Sequence, residues 1–274
     1  MKKILALLMA LVMIFALCAC GKSAPAANDG KLVVGTSADY APLEFMYKND
    51  KGEMVYGGFD LAVADFIAKD MGKEMQVENM NFDYLLVALQ KGDYDIVIAG
   101  LEVTEERLQA ADFSDPYYTG ENPTILVRAE DAGKYKTLSD FNGKIVGAQA
   151  ATTKADTVAE CIPEATLQTL VNVQDLVNEL VYGKIDAVLL DGDVAMSYVD
   201  QNKDLVASEA SGELPTQEPY CIAVAKGDPK GILPGINAAI AKMTKDQIND
   251  WFAEAQSYVD LGNYEEVSVD APEA

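Results

Sequence analysis

The chain has 274 residues, and its 44 acidic against 21 basic side chains give a formal net charge of −23. An acidic surface of this size repels phosphate backbones, so no nucleic-acid partner is expected. The sequence contains no histidine, which excludes Ser-His-Asp and Cys-His catalysis and removes the commonest zinc ligand. Half of the residues are hydrophobic, which is enough for a packed core in one large or two medium domains.

The first residues of the chain are typical of an export signal. Lys2 and Lys3 precede an apolar run over residues 4–16, which is shorter than the roughly 20 residues of a membrane-spanning helix. The run ends in the sequence LCACG, which resembles the lipobox of bacterial lipoproteins. That resemblance implies cleavage before Cys20 and lipidation of its thiol, and an ordinary signal peptide is the alternative. We therefore predict a signal peptide at 1–19, a lipidated tether at 20–29, and an exported protein anchored on the outer face of the cell membrane or on its periplasmic side.

Strand and helix patterns alternate through the rest of the chain. The predicted strands are 31–36, 94–99, 144–149 and 185–190, and the predicted helices are 59–71, 82–91 and 175–182. Strands that alternate with helices of this length predict parallel α/β units.

The chain also repeats itself. Residues 89–98 match residues 180–189, and each segment has a helix end, a glycine stop, an aspartate that opens a strand, and an apolar strand. Residues 30–33 match residues 143–146 in the same way. Two lobes built on one plan are the simplest explanation.

The repeat predicts where a ligand would lie. In open α/β sheets, ligands bind beyond the carboxyl ends of the strands. Those ends are 99–100 and 190–191 in one matching pair, and 37–40 and 150–153 in the other. We expect these four strand ends to face each other across one cleft.

Six segments resemble, in the family's order, the family 3 extracellular solute-binding proteins, the amino-acid receptors of ABC importers. The segments are YAPLEF (40–45), GFDL (58–61), AGLEVTEER (99–107), FSDPYY (113–118), GKIVGAQ (143–149) and DAVLLD (186–191). The resemblance runs from about residue 31 to residue 258, and it implies a two-lobed α/β fold of the periplasmic-binding-protein type II.

The resemblance also implies a division of the chain. Two hinge crossovers are expected near 119–122 and 214–219, where Pro or Gly stands among small residues. The predicted units are lobe 1 at 30–121 and 219–262, lobe 2 at 122–218, and an acidic tail at 263–274.

Two charged residues are the main candidates for binding a free amino acid, which is a zwitterion. The guanidinium of Arg107 suits a carboxylate, and it lies in the first turn of a helix for which Thr104 is the predicted N-cap. In the family, the matching arginine binds the ligand carboxylate, and the aspartate that matches Asp191 binds the α-ammonium. The alternatives are that Arg107 pairs with glutamates of its own helix and that Asp193 replaces Asp191.

The other candidate residues are carried over from the same resemblance. Tyr40 and Phe59 match two rings that sandwich the aliphatic part of the ligand, although Phe59 also begins an apolar helical stripe and could be core. Thr152 and Thr153 open a helix whose N-terminus favours a carboxylate. The full predicted ligand-binding set is Ser37, Tyr40, Phe59, Ala99, Gly100, Glu102, Arg107, Thr152, Thr153 and Asp191.

Glu102 departs from the family, which usually has Ser or Thr at this position. Arg107, Asp191 and Glu102 in one cleft would give one positive and two negative groups, so a zwitterion would leave one acid unpaired. We therefore expect a polar ligand, cationic or amine-bearing, and we expect glutamate to be rejected. The alternatives are that Glu102 points out of the cleft or reaches the α-ammonium.

The predicted function is capture of an amino acid between two lobes and its delivery to the transmembrane subunits of an ABC permease. The protein is expected to be a membrane-anchored monomer that needs no cofactor, no metal and no catalysis. Two alternatives use the same fold: an extracytoplasmic dehydratase or lyase with Glu102 as acid/base, and a sensory amino-acid-binding domain. Cys161 and Cys221 are interpreted as small buried hydrophobes.

Overall fold

The computed structural model describes residues 30–260, 262 and 264–265. The predicted signal peptide, Cys20, the tether at 20–29 and most of the acidic tail lie outside the described residues. The strands are β1 (Lys31–Thr36), β2 (Phe45–Lys48), β3 (Met54–Gly57), β4 (Glu74–Asn79), β5 (Ile96–Val97), β6 (Ala111–Phe113), β7 (Thr124–Arg128), β8 (Ile145–Gln149), β9 (Thr166–Leu170), β10 (Ala187–Leu190), β11 (Leu205–Ala207), β12 (Ala223–Ala225) and β13 (Tyr264–Glu265). The helices are α1 (Phe59–Asp70), α2 (Leu85–Lys91), α3 (Glu105–Ala110), α4 (Thr153–Cys161), α5 (Val173–Val181), α6 (Gly192–Gln201), α7 (Leu233–Ile240) and α8 (Lys245–Asp260).

The strands form two five-stranded sheets and one three-stranded sheet. The orders are β4-β1-β5-β12-β6, β11-β7-β10-β8-β9 and β13-β2-β3. In the first sheet β1 is parallel to β4 and β5, and in the second β8 is parallel to β9 and β10. The predicted α/β class is therefore confirmed. Below, lobe 1 means the first sheet with the elements packed on it, and lobe 2 means the second sheet with its elements.

The chain passes between the sheets twice, from β6 to β7 and from β11 to β12. The two connecting segments lie side by side, because Tyr220 donates its amide to the carbonyl of Tyr118 at 2.8 Å. Both predicted crossovers, 119–122 and 214–219, fall in these segments, which confirms the two-lobed type II arrangement with two crossovers. The boundaries of the lobes in residue numbers stay a prediction.

The internal repeat corresponds to the same structure in each lobe. Gly92 follows α2 with a φ of 87°, and Gly183 follows α5 with a φ of 71°, a left-handed conformation that suits glycine. Asp95 then accepts the amide of Val33 at 2.7 Å, and Asp186 accepts the amide of Ile145 at 2.9 Å. Each aspartate thus ties its own strand to the neighbouring parallel strand.

Helix α1 forms where the apolar spacing predicts it, and it buries Phe59, Val63 and Ile67 in the core. The other predicted elements agree with the structure to within two residues at each end, and two predictions differ more. The predicted helix 82–91 begins with a separate 3₁₀ turn at Phe82–Tyr84. The predicted strand 94–99 is regular only over Ile96–Val97, with one further backbone hydrogen bond to β1 on each side, from Asp95 and from Ile98. Within the described residues, no helix is both long enough and apolar enough to cross a bilayer.

Candidate binding site between the lobes

A cavity between the lobes lies at the carboxyl ends of β1 and β5 on one side and of β8 and β10 on the other. The four predicted strand ends therefore meet, as expected for parallel strands. The cavity is lined by Ser37, Asp39, Tyr40, Glu44, Phe82, Ala99, Gly100, Arg107, Gln149, Thr152, Thr153 and Asp191. Most of the predicted site residues are among them; Phe59 and Glu102 are not. Four further lining residues were not predicted as site residues from the sequence: Asp39, Glu44, Phe82 and Gln149.

Arg107 lies in the first lobe and reaches the second. The Oγ1 of Thr104 accepts the amide of Arg107 at 3.1 Å, which confirms the predicted N-cap of α3. The guanidinium donates to the carbonyl of Glu102 at 2.9 Å and to the carbonyl of Ala151, in lobe 2, at 3.1 Å. It also lies 5.5 Å from the ring centre of Phe82. Backbone carbonyls, rather than glutamates of its own helix, hold this cation at the cavity.

Burial affects the charge of this arginine. It lowers the pKa of the Arg107 guanidinium from its ordinary value, and nearby carboxylates, with Glu102 first among them, oppose that shift. Guanidinium nevertheless stays protonated in proteins, so the site presents a fixed positive charge with further N–H donors available. A carboxylate can pair with such a fork bidentately.

Asp191 ends β10 and precedes α6, so its carboxylate lies at the cavity. Tyr40 of lobe 1 donates its hydroxyl to the Oδ2 of Asp191 at 2.5 Å, and burial next to this carboxylate raises the pKa of Tyr40. Asp193, the alternative partner for an ammonium, accepts instead from the Tyr118 hydroxyl and the Glu121 amide, each at 3.3 Å. Asp193 therefore faces the crossover segment, and Asp191 is the acid that lines the cavity.

Glu102 is paired with a cation that the sequence reasoning missed. The Nζ of Lys154 lies 2.8 Å from Glu102 Oε1 and 2.6 Å from Asp191 Oδ1, and its side chain is 5 % exposed. The hydroxyl of Thr153 and the amide of Gln217 also donate to the Glu102 carboxylate. The expectation of an unpaired Glu102 facing the ligand is therefore corrected. The signal was the position of Lys154, directly after two predicted site threonines.

Lys154 stays charged despite its burial. Burial alone lowers the pKa of a lysine, but the carboxylates of Asp191 and Glu102 more than offset this and raise the pKa of Lys154 above its ordinary value. The cation therefore neutralises much of the negative charge that the sequence alone assigned to this part of the cleft.

The structure also corrects the role of Phe59. Its side chain is completely buried in lobe 1, with its ring 4.7 Å from that of Tyr118 and 5.6 Å from that of Phe252. Phe59 is therefore a core residue, as its place in an apolar stripe allowed. The ring that lines the cavity with Tyr40 is Phe82, in the 3₁₀ turn before α2. From the sequence, Phe82 was predicted only as the start of a helix, with no role in binding.

Asp39 is a second carboxylate at the cavity, and it accepts hydrogen bonds from both lobes. It accepts from the Ser37 hydroxyl at 2.8 Å, from the Gln149 amide at 3.1 Å and from the backbone amide of Val173 at 3.3 Å. All three donors are neutral, so no cation is paired with this acid among the described residues. Burial raises the pKa of Asp39 to about 6.

Glu44, which lines the cavity, forms a buried acid pair with Asp60, which does not. Asp60 accepts the amide of Gly100 and the hydroxyl of Tyr117, each at 2.8 Å, and so fixes the turn after β5. Burial and the neighbouring Asp60 carboxyl raise the pKa of Glu44 well above its ordinary value, and burial raises the pKa of Asp60 to about 7. Two adjacent buried carboxyls cannot both ionise easily, so one shared proton leaves the pair with a single charge.

The close approach of these elements requires a glycine before α1. Gly58 has a φ of 121°, and a Cβ on it would lie 2.2 Å from the carbonyl oxygen of Leu43. The loop after β1 can therefore contact the start of α1, where Asp60 donates its amide to that carbonyl at 2.9 Å. This contact brings Asp60 next to Glu44 at the cavity.

The described residues hold no group of three or more His, Cys, Asp or Glu side chains arranged to bind a metal ion. Cys161 and Cys221 are free thiols within this part of the chain; Cys221 is buried as expected, whereas Cys161 is partly exposed, which corrects the expectation for that residue. At the cavity, one guanidinium, several carboxylates and the N-terminus of α4 are available for charge pairing and hydrogen bonding, and two aromatic rings offer apolar contacts.

Known proteins share this architecture. The chain is 38 % identical over 209 residues to the arginine-binding extracellular protein ArtP of Bacillus subtilis. The aligned region covers 75 % of this chain and 79 % of the relative. A crystal structure of an amino acid ABC transporter substrate-binding protein from Streptococcus pneumoniae, bound to L-arginine, is 35 % identical with a TM-score of 0.79, and the match covers 87 % of this chain and 96 % of that one. The ancestral amino acid-binding protein AncCDT-1, a precursor of cyclohexadienyl dehydratase, is 35 % identical with a TM-score of 0.72, over 82 % and 95 % of the two chains. The model of the bacterial extracellular solute-binding proteins, family 3, matches residues 32–254, and the chain belongs to this family.

Proposed function

We propose that this solute-binding protein is the receptor of an amino-acid ABC importer and that its ligand is a cationic amino acid, with L-arginine as the first candidate. The relatives that bind arginine support this choice. Arg107 would bind the ligand carboxylate together with the amides at the N-terminus of α4, and Asp191 would bind the α-ammonium. Tyr40 and Phe82 would enclose the aliphatic part of the ligand between their rings.

The charge balance of the site is the observation that supports a cationic ligand. Arg107 and Lys154 supply two positive charges, against the carboxylates of Asp39, Glu102 and Asp191. Glu44 is counted as neutral because its pKa is raised well above its ordinary value, so the one charge of the Glu44–Asp60 pair lies on Asp60, which does not line the cavity. A zwitterion leaves one negative charge without a partner, a cationic amino acid neutralises it, and glutamate adds a second one.

Asp39 is the acid left over in this balance, so we assign it to the cationic side chain. At about 4 Å and an effective dielectric constant near 20, one charge pair contributes roughly 4 kcal/mol before desolvation is subtracted. The sequence-based preference for a cationic ligand is thus kept, but it rests on Asp39 instead of Glu102.

A titration of the protein with arginine, lysine, glutamine and glutamate tests this function. We expect arginine or lysine to bind most tightly in calorimetry and glutamate to show no binding. Asp39→Asn should weaken arginine binding about 10- to 100-fold, the effect of a lost hydrogen bond between charged groups, and should change glutamine binding much less. The matched control is Asp70→Asn, which removes an exposed carboxylate of lobe 1 that pairs with Lys242. Tightest binding of glutamate would contradict the charge balance.

The pH dependence of the same titration provides a second readout. A cationic side chain favours the ionised form of Asp39, so binding lowers the pKa of this group from about 6. Arginine affinity should therefore rise as the pH increases through about 6, relative to glutamine affinity. Burial also raises the pKa of Asp193 to about 6, but that residue faces the crossover and should affect both ligands alike. A pH dependence of the arginine-to-glutamine ratio that persists in Asp39→Asn would assign the effect to another group.

We also propose that the protein is a monomer and that a lipid on Cys20 holds it to the membrane. Lobe 1 is proposed to comprise residues 30–121 and 219–262, and lobe 2 residues 122–218. The motif LCACG supports the lipid anchor. Cys20→Ala should move the protein from the membrane fraction to the soluble extracytoplasmic fraction, as fractionation with an antibody can show. Cys161→Ala is the control, because that residue is a free thiol of the folded part. Retention of Cys20→Ala in the membrane fraction would contradict the anchor.

An enzymatic function is not assigned to this chain, because its family consists of binding proteins. Glu102, the acid/base of the alternative reading, does not line the cavity and is paired with Lys154. Its carboxylate is therefore engaged in contacts between the lobes.

A further inference from the structure

The ion pair between Glu102 and Lys154 differs from the other ion pairs of the described residues, because it alone joins the two lobes. Glu102 follows β5 in lobe 1, and Lys154 lies in the first turn of α4 in lobe 2. Both side chains are nearly inaccessible to solvent, with exposed fractions of 8 % and 5 %. A pair of this kind can form only when the lobes are closed.

The pair has further partners at the same place. Thr153 of lobe 2 and Gln217 of the second crossover both donate to the Glu102 carboxylate. Lys154 also contacts Asp191 at 2.6 Å, which fixes the orientation of the acid assigned to the α-ammonium. Neither Glu102 nor Lys154 lines the cavity, so their contacts do not depend on which side chain a ligand carries.

We propose that Glu102 and Lys154 form a latch between the lobes, which stabilises the closed form and sets the affinity for every amino acid without selecting among them. Both are positioning residues: Glu102 holds lobe 1 to α4, and Lys154 orients Asp191. The inference rests on the proposed function, because it takes closure of the lobes as part of binding.

The physical reason lies in the burial of the two charges. If Glu102 is made neutral, Lys154 is buried in the closed form with Asp191 of its own lobe as its remaining acid, and if Lys154 is made neutral, Glu102 is buried with neutral donors alone. In either case the closed form loses the ion pair between the lobes and keeps a buried charge with fewer partners, which is unfavourable. Opening the lobes exposes that charge to water and relieves the penalty. The equilibrium therefore shifts towards the open form, and every ligand that binds the closed form loses affinity by the same factor.

The experiment compares Glu102→Gln, Lys154→Gln and the double variant with the wild type, each unfolded and refolded by dialysis to remove co-purified amino acid. Small-angle X-ray scattering without added amino acid gives the radius of gyration, and calorimetry gives the affinities for L-arginine and L-glutamine. The control is Asp70→Asn, which breaks a pair with Lys242 inside lobe 1. Circular dichroism checks that each variant is folded.

We expect both single variants to have a larger radius of gyration than the wild type and to bind both amino acids about tenfold more weakly, with an unchanged ratio of the two affinities. The double variant should lie closer to the wild type than the product of the single effects, because it leaves no unpaired charge between Glu102 and Lys154. Equal radii for all variants would overturn the latch. A loss confined to arginine would also overturn it, because Glu102 would then recognise the ligand side chain.

The scattering result does not depend on the identity of the ligand. If neither amino acid binds the wild type, the proposed ligand is wrong, and the radii of gyration still decide whether the latch exists. If both bind and the single variants match the wild type in both measurements, the proposed function stands and the latch is rejected.

Discussion

Replacing Arg107 with alanine is expected to weaken the binding of L-arginine by about 30-fold to several thousand-fold. The guanidinium is the cation at the cavity that can pair with a ligand carboxylate, since Lys154 is already engaged by Glu102 and Asp191. Truncating one partner of a buried charge pair costs about 2–5 kcal/mol. Isothermal titration calorimetry of the variant measures this loss directly.

The conservative variant Arg107→Lys separates charge from geometry. It keeps the positive charge but loses the planar fork that donates to the carbonyls of Glu102 and Ala151. Its affinity should fall between those of the wild type and Arg107→Ala. Both variants should keep a melting temperature close to the wild-type value without ligand. Wild-type affinity in Arg107→Ala would remove the carboxylate site from this position.

Much of the fold follows from local patterns in the sequence. The repeated unit of helix end, glycine, aspartate and apolar strand could be read directly, because each part depends on neighbouring residues. Gly92 and Gly183 stop helices through their own backbone conformation. The direction of parallel strands then places their carboxyl ends at one edge, so the cleft could be located without any coordinates.

Contacts between the lobes could not be read in this way. Glu102 and Lys154 lie 52 positions apart and on different sheets, and their pairing depends on how closely the lobes approach. Two charged groups at the cleft, the Lys154 cation and the Asp39 carboxylate, were therefore not among the charges counted from the sequence. Asp39 stood next to Tyr40 in a predicted site loop, so a full count of charges at the four strand ends would have included it.

The aromatic residues show a second limit of the sequence. Phe59 and Phe82 each come just before or at the start of a helical segment, and hydrophobicity alone does not separate a core ring from a cavity ring. Their surroundings do: Phe59 packs against rings of the crossover and of α8, whereas Phe82 lies against the Arg107 guanidinium at the cavity. This difference leads to opposite mutational effects.

Phe59→Ala is expected to lower the free energy of unfolding by about 3–5 kcal/mol, because it leaves a cavity in a close-packed cluster where the wild-type side chain is fully buried. The melting temperature should fall by roughly 10 °C. Phe82→Ala removes a partly exposed ring and should have a smaller effect on stability. Differential scanning calorimetry of both variants without ligand measures the contrast.

Ligand affinity should change in the opposite order. Phe82→Ala removes one of the two rings at the cavity and the 5.5 Å contact with Arg107, so arginine binding should weaken about tenfold or more. Phe59→Ala, measured well below its melting temperature, should bind within a few-fold of the wild type, because this ring does not line the cavity. Phe82→Leu is the matched control, since it keeps apolar bulk but removes the aromatic face that the guanidinium contacts. Loss of binding in Phe59→Ala without loss of stability would return Phe59 to the site, and unchanged binding in Phe82→Ala would remove Phe82 from it.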